Sequence, residues 1–249
     1  MSAGDRFARA DSRLARWICV VCLVTGAVAA NIAFVGLGSS FDYPDILQEP
    51  ATDILVRFDE ARSATIGWFL VLTLGALLIG PAAILLARRG SGRSARWSAW
   101  AGAGAATVQV VGLSRWVLLV PGIADRVSDP AATPLEHAEA LADFDRAHHI
   151  LGTIVGETLG YALTAGWTAL VILAFPHLPS WFRALGAAGA VLILSGVLVP
   201  LDVAGTDLAN FLGYVLWTVW LLVLAGLVAR GGLAGDRRRT SPDLAVQPA

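Results

Sequence analysis

The sequence predicts an all-α fold, a polytopic bundle of about six transmembrane helices. Its 249 residues are 56% hydrophobic and only 15% charged, with a mean hydropathy of +0.67, so the chain is more apolar than a water-soluble domain needs to be. A helix that crosses a bilayer needs about 20 apolar residues. The chain offers six such runs, at 17–37, 63–87, 97–121, 148–175, 184–200 and 208–229.

The placement of arginine predicts how the bundle is oriented. All 18 basic residues are arginine, and thirteen of them fall in the two tails and the short loops at 88–96 and 176–183. Only four fall in the long loops at 38–62 and 122–147. Because short cytoplasmic segments retain positive charge, both termini are expected in the cytoplasm, which also requires an even number of spans.

This orientation divides the chain into three parts. Residues 1–16 form an Arg-rich cytoplasmic tail, 17–229 a single transmembrane domain, and 230–249 a second cytoplasmic tail that we expect to be disordered. The arginine-, alanine- and glycine-rich usage indicates a GC-rich bacterial genome, so the expected location is the bacterial cytoplasmic membrane. Residues 27–30 resemble a signal-peptide cleavage site, but the apolar run continues to Leu37, which favours an uncleaved first helix.

The two long loops, predicted to lie outside, are expected to contain short interfacial helices. Ile54, Leu55 and Phe58 have helical spacing between charged residues. Thr133 and Glu136 have the spacing of a capping box. Tryptophans fall near both membrane boundaries, as in an aromatic belt: Trp17, Trp97, Trp100 and Trp181 on the inner side, Trp68 and Trp116 on the outer side.

Two ionisable residues lie inside predicted spans, where a charge is expensive and usually has a partner. Arg115 lies roughly 9 Å below the outer end of the third helix, and Glu157 roughly 13 Å below that of the fourth. These depths predict a direct or water-bridged pair. Such a pair serves equally well to fix helix packing or to form a functional site.

Other polar residues are expected in the same half of the bundle, and few in the other half. This asymmetry predicts an outward-facing polar cavity and argues against a pathway through the whole membrane. The candidate ligand-binding residues are Arg115, Glu157, His149, Asn31, Gln109, Asp202, Asp207 and Asn210.

Glu157 is the candidate acid or base, with His149 beside it. His149, Thr153 and Glu157 are spaced four residues apart, so on an α-helix they share a flank. A metal site is disfavoured because the neighbouring His148 and His149 point about 100° apart. The pair Cys19 and Cys22 lacks the second pair that a metal site would use, and no cofactor is predicted.

Two motifs resemble a bacterial family of six-helix membrane proteins that is catalogued only as a domain of unknown function. The first is F-D-Y-P-D-I-L at 41–47, and the second is G-E-T-L-G at 156–160, which matches the family element G-E-x-L-G. The resemblance extends from the first helix to the last and marks Glu157 as the family residue. Some relatives have His where this chain has Thr158, which argues against a metal role at that position here. The resemblance implies the architecture and no activity.

Three classes of function remain open. The first is binding or transport of a small polar or anionic solute, with Arg115 as the anchor. The second is a membrane-embedded enzyme that uses Glu157 as acid or base. The third is a structural or regulatory partner of another membrane protein, or a homo-oligomer, in which the Arg–Glu pair and the glycines 152, 156 and 160 serve assembly. Nothing in the sequence indicates nucleic-acid binding.

Overall fold

The computed structural model describes the backbone of residues 3–233 and the side chains of residues 12–233. The rest of the predicted C-terminal tail, with Arg237, Arg238 and Arg239, lies outside the described residues, as do the side chains of Arg6 and Arg9. Within residues 3–233 the fold is helical and contains no strand. The predicted all-α class is therefore confirmed.

Nine α-helices follow one another along the described chain. A π-helical segment, His148–Leu159, joins α6 to α7, and short 3-10 helices lie at Asp45–Gln48 and Gly196–Leu201. The α-helices are α1 (Ala3–Phe41), α2 (Ala51–Glu60), α3 (Arg62–Ala87), α4 (Gly92–Leu118), α5 (Val120–Val127), α6 (Pro134–Ala147), α7 (Gly160–Ala174), α8 (Ser180–Ser195) and α9 (Thr206–Ala229).

Six helical stretches are long and apolar enough to cross a membrane, and each contains one predicted run to within a residue. The fourth stretch begins fourteen residues before its predicted run, because the polar helix α6 continues directly into the span. The stretches are Ser12–Phe41, Arg62–Ala87, Gly92–Val127, Pro134–Ala174, Ser180–Leu201 and Thr206–Ala229.

The six spans form a closed ring. Each span packs on the next one along the chain, in the order α1, α3, α4, α7, α8 and α9, and α9 packs back on α1. In such an up-and-down ring, helices that follow one another along the chain pack side by side, and the connections at 88–91, 175–179 and 202–205 are short. We call the end that carries α2, α5 and α6 the loop-helix end, and the end with the chain connections at 88–91 and 175–179 the arginine-rich end.

Two apolar cores fill the ring, one towards each end. The core of the arginine-rich end is built around Trp167, Phe182 and Trp220. The core of the loop-helix end is built around Phe41, Phe69 and Trp116. The rings of Phe69 and Trp116 stack with their centroids 4.8 Å apart. Trp116 is fully buried, so its predicted place in an outer aromatic belt is wrong: the ring packs on Phe69 and does not face lipid.

The predicted helix around Ile54, Leu55 and Phe58 is present as α2. All three side chains are buried, and the Phe58 ring centroid lies 6.2 Å from that of Trp116. The apolar side of α2 therefore packs on the bundle and not on lipid. Its position at a membrane interface stays a prediction.

The predicted capping box is also present, at the start of α6. The Thr133 hydroxyl accepts a hydrogen bond from the Glu136 amide at 3.3 Å, and the Thr133 amide donates to Glu136 Oε2 at 2.8 Å. These bonds satisfy two amides that have no partner within the helix.

Candidate functional site

Arg115 lies in the last turn of α4 with only 5% of its surface exposed. Its Nη1 donates to the Gly112 carbonyl at 2.6 Å, while its buried Nε has no partner. The guanidinium lies 5.2 Å from the centre of the Trp116 ring and directly against Gly152. A Cβ at Gly152 would lie 2.7 Å from Nη2, so the glycine provides the space that the guanidinium occupies.

Glu157 lies across from Arg115 in the π-helical segment and is partly buried. The two residues interact electrostatically, as do Glu157 and Asp207. Among the described residues, however, no salt bridge with an N···O distance of 4.0 Å or less involves Arg115 or Glu157. They are therefore neighbours in one electrostatic field without a direct ion pair.

The π-helical segment changes which side chains accompany Glu157. A π-helical turn closes with i→i+5 hydrogen bonds, so two turns hold roughly nine residues. His148 is nine residues before Glu157, stacks on Phe144 at 5.7 Å and interacts electrostatically with Arg115. His149 is exposed, and the α-helical spacing that placed it on the flank of Glu157 does not apply here.

Tyr43 also belongs to this site, although no spacing or charge pattern predicted it. Its ring packs on Phe69 and Phe34 with centroid distances of 5.4 and 5.6 Å. Burial raises the pKa of Tyr43 to about 12, with Glu157 adding to the rise and Arg115 opposing it. Tyr43 therefore lies in the field of both charges as a neutral hydroxyl. Its place in the F-D-Y-P-D-I-L motif was the only signal in the sequence.

The two other tyrosines of the chain approach the site from the opposite side. Tyr161 and Tyr214 pack together with ring centroids 6.0 Å apart, and Tyr161 lies in the field of Glu157. The Tyr214 hydroxyl lies beside Gln109 and Thr164. Gln109 Nε2 in turn donates to Thr164 Oγ1 at 3.2 Å, which links α4 to α7.

Of the remaining predicted site residues, Asn210 joins this group and two others do not. Asn210 is buried, donates to the Ile193 carbonyl at 2.8 Å, and meets Tyr161 around Gly196. Asp202 is exposed at a left-handed turn. Asn31 is exposed on α1 and donates to Thr218 Oγ1 at 3.1 Å.

We call the converging residues the polar cluster. It lies between the two apolar cores, because Tyr161 and Tyr214 border the core of the arginine-rich end and Tyr43 borders the other. The cluster combines one cation, one carboxyl group and several neutral hydroxyl and amide groups, which together offer both donors and acceptors. Its members are Tyr43, Gln109, Arg115, Glu157, Tyr161, Thr164, Asn210 and Tyr214.

The polar cluster does not have the donor set of a metal site. Throughout residues 12–233, no three His, Cys, Asp or Glu side chains lie close enough together to hold a metal ion. Glu157 is the only carboxylate in the cluster, and its closest charged neighbours are Arg115 and the exposed Asp207.

Comparison with known families identifies the chain. Residues 19–225 match the model of a family described as a domain of unknown function, DUF4386. The chain belongs to this family. The whole polar cluster lies within the matched residues of the DUF4386 domain, from Tyr43 to Tyr214. No curated protein and no solved structure matches the chain.

Proposed function

We propose that the polar cluster binds a small polar solute, which Arg115 anchors through a carboxylate or carbonyl oxygen. Glu157 and the surrounding hydroxyls accept from or donate to the rest of the solute. We further propose that the solute reaches this site from the outside of the cell, through the loop-helix end, in the orientation that the arginine distribution predicts. The protein then acts as a binding or transport protein of the bacterial cytoplasmic membrane.

The observation that carries this proposal is that two opposite charges share one site without bonding to each other. Arg115 is almost fully buried, and its Nε has no partner. A buried guanidinium without a carboxylate against it is unfavourable, because burial removes its hydration. A solute oxygen placed between Arg115 and Glu157 would satisfy the guanidinium, and a donor on the same solute would satisfy the carboxylate.

The tyrosines support a solute that is small and uncharged overall. Tyr43, Tyr161 and Tyr214 surround Glu157 with aromatic rings and hydroxyl groups and add no charge. With one cation and one carboxyl group, the site matches a solute that carries both an acceptor end and a donor end. A solute with a large net charge would be left with an unpaired charge in the bundle.

A thermal-shift titration of the purified full-length protein tests the proposal. The probes are glycine, which has both kinds of end, acetate, which has only the acceptor end, and methylammonium, which has only the donor end. A ligand of the folded state raises the melting temperature in a saturable way. We expect glycine to raise the melting temperature most, acetate to raise it less, and methylammonium to raise it least.

Arg115→Gln should abolish the response to acetate and glycine. Arg146→Gln is the matched control, because Arg146 is 70% exposed and lies in a surface pair with Asp143. No saturable shift with any probe, or equal shifts in the wild type and Arg115→Gln, would contradict the proposal.

A further inference from the structure

The arginines at the two ends of the bundle differ in how they are paired. At the loop-helix end, Arg57, Arg62, Arg126 and Arg146 all form salt bridges with carboxylates, at 2.7 to 3.2 Å. At the arginine-rich end, no arginine within residues 12–233 forms a salt bridge. Asp5 and Asp11 lie near the start of α1 at this end, but their side chains are outside the described ones; within residues 12–233 this end has no Asp or Glu, since 12–41, 63–124, 158–201 and 208–233 are free of both.

Three arginines of that end are partly buried instead of extending into solvent. These are Arg16 on α1, Arg89 after α3 and Arg183 on α8, and each has a buried Nε without a hydrogen-bond partner. Arg62 at the loop-helix end differs from them, because its Nε donates a hydrogen bond to Asp59 Oδ1 at 3.0 Å. Of these three guanidinium groups, only that of Arg183 donates a hydrogen bond within residues 12–233, from Nη1 to the Pro176 carbonyl, and the Nε of each has no acceptor there.

Contacts with neighbouring residues place the three side chains at the same end of the bundle core. Arg16 lies one turn before Cys19 on the same side of α1, and Cys19 interacts electrostatically with Arg89. Gly90, next to Arg89, packs against Phe175 at the end of α7. Arg183 Nη1 donates to the Pro176 carbonyl at 3.4 Å, so Arg89 and Arg183 both border the turn that follows α7.

Exposed tryptophans mark the membrane depth of this end. Trp17 and Trp181, neighbours of Arg16 and Arg183, are 51% and 58% exposed, and Trp97 and Trp100 are exposed as well. Tryptophan in that setting lies at the level of the lipid headgroups. From the positions of these tryptophans we expect the three arginines at the depth of the lipid phosphates.

We propose that Arg16, Arg89 and Arg183 form a binding site for the phosphate of an anionic phospholipid headgroup. A phosphate offers several acceptor oxygens that match the planar fork of arginine. Basic groups between helix ends at a membrane surface attract anionic lipids in the same way. This site is separate from the polar cluster and does not depend on the proposed solute binding.

Two triple variants with equal loss of charge test the site. Arg16→Gln, Arg89→Gln and Arg183→Gln together remove the partly buried arginines. Arg88→Gln, Arg93→Gln and Arg96→Gln remove three exposed arginines of the same end and serve as the control. Binding of phosphatidylglycerol to the detergent-purified full chain is measured by native mass spectrometry, with inorganic phosphate as a separate arm.

We expect the first triple to weaken phosphatidylglycerol binding by at least about tenfold and the control triple by much less. Equal losses in both triples would show only general electrostatic attraction and overturn the proposal. Competition by inorganic phosphate at equal concentration would show that the site takes free phosphate, which overturns the assignment to a lipid.

If the first triple does not fold, the Arg→Lys triple at the same positions keeps the charge and should still lose binding, because lysine lacks the planar fork of arginine. Unchanged binding in that variant would overturn the proposal.

Discussion

Gly152 lies against the guanidinium of Arg115, so closely that a Cβ there would be 2.7 Å from Nη2. Gly152, Gly156 and Gly160 recur every four residues, which is the spacing of a motif that lets another helix backbone approach closely. Gly156 does pack on Gly112 of α4, as that motif predicts. At Gly152 the space is occupied by a charged side chain, so the same motif both joins two helices and positions Arg115.

We predict that Gly152→Ala displaces the guanidinium and lowers stability by about 1–3 kcal/mol, the usual range for overpacking a buried site. Gly166→Ala is the control, because no atom lies within 4 Å of a Cβ at that position in α7. There, alanine should be neutral or stabilising by up to about 1 kcal/mol, since glycine disfavours a helix. Thermal unfolding of both variants in one detergent measures the difference. Equal effects would show that Gly152 does not confine Arg115.

A second prediction concerns Asp59, which connects α2 to two neighbouring elements. Partial burial alone would raise the pKa of Asp59, but hydrogen bonds from Ser128 and Arg62 outweigh it and hold the pKa below its ordinary value. A carboxylate with a lowered pKa in the folded state contributes stability above its unfolded pKa. That contribution is lost as the pH falls through the folded value.

We therefore expect α2 to lose protection from amide exchange below the ordinary pKa of aspartate, about 4. Hydrogen–deuterium exchange over residues 51–60, corrected for the intrinsic pH dependence, measures this loss. Asp59→Asn should reduce protection at neutral pH and remove the pH dependence. Asp53→Asn, on the exposed side of the same helix, is the control and should leave both unchanged. The same profile in wild type and Asp59→Asn would refute the prediction.

The third prediction is the orientation of the bundle in the membrane. Thirteen arginines on one side against four on the other predict that both termini are cytoplasmic. Reporter fusions in the 88–96 loop and at the C-terminus should report cytoplasm, and fusions within 122–147 should report the outside. A C-terminal reporter found outside would reverse the proposed opening of the polar cluster.

The sequence predicted the spans well because a long apolar run has few alternatives in a membrane protein. It also predicted α2 and the Thr133 cap, since both depend on local spacing. It did not predict that the apolar side of α2 packs on the bundle. Periodicity shows which side of a helix is apolar, but it does not show whether that side contacts protein or lipid. The buried Trp116 was missed for the same reason.

The polar cluster was predicted only in part, because its members come from distant parts of the chain. Arg115 and Glu157 were found from the unfavourable energy of charge in a membrane, which is a local property of each span. Tyr43 is more than a hundred residues from Glu157 and carries no such signal. His149 was assigned from α-helical spacing, whereas the segment from His148 to Leu159 is π-helical.

Arg115 and Glu157 form one electrostatic site although no direct ion pair joins them. A double-mutant cycle with Arg115→Gln and Glu157→Gln, measured by the free energy of unfolding in one detergent, tests this coupling. We expect each single variant to leave the other charge uncompensated, so the double variant should be more stable than the sum of the two effects implies, with a coupling of roughly 0.5 kcal/mol or more. Strict additivity would contradict the claim, because it would show that neither charge responds to loss of the other.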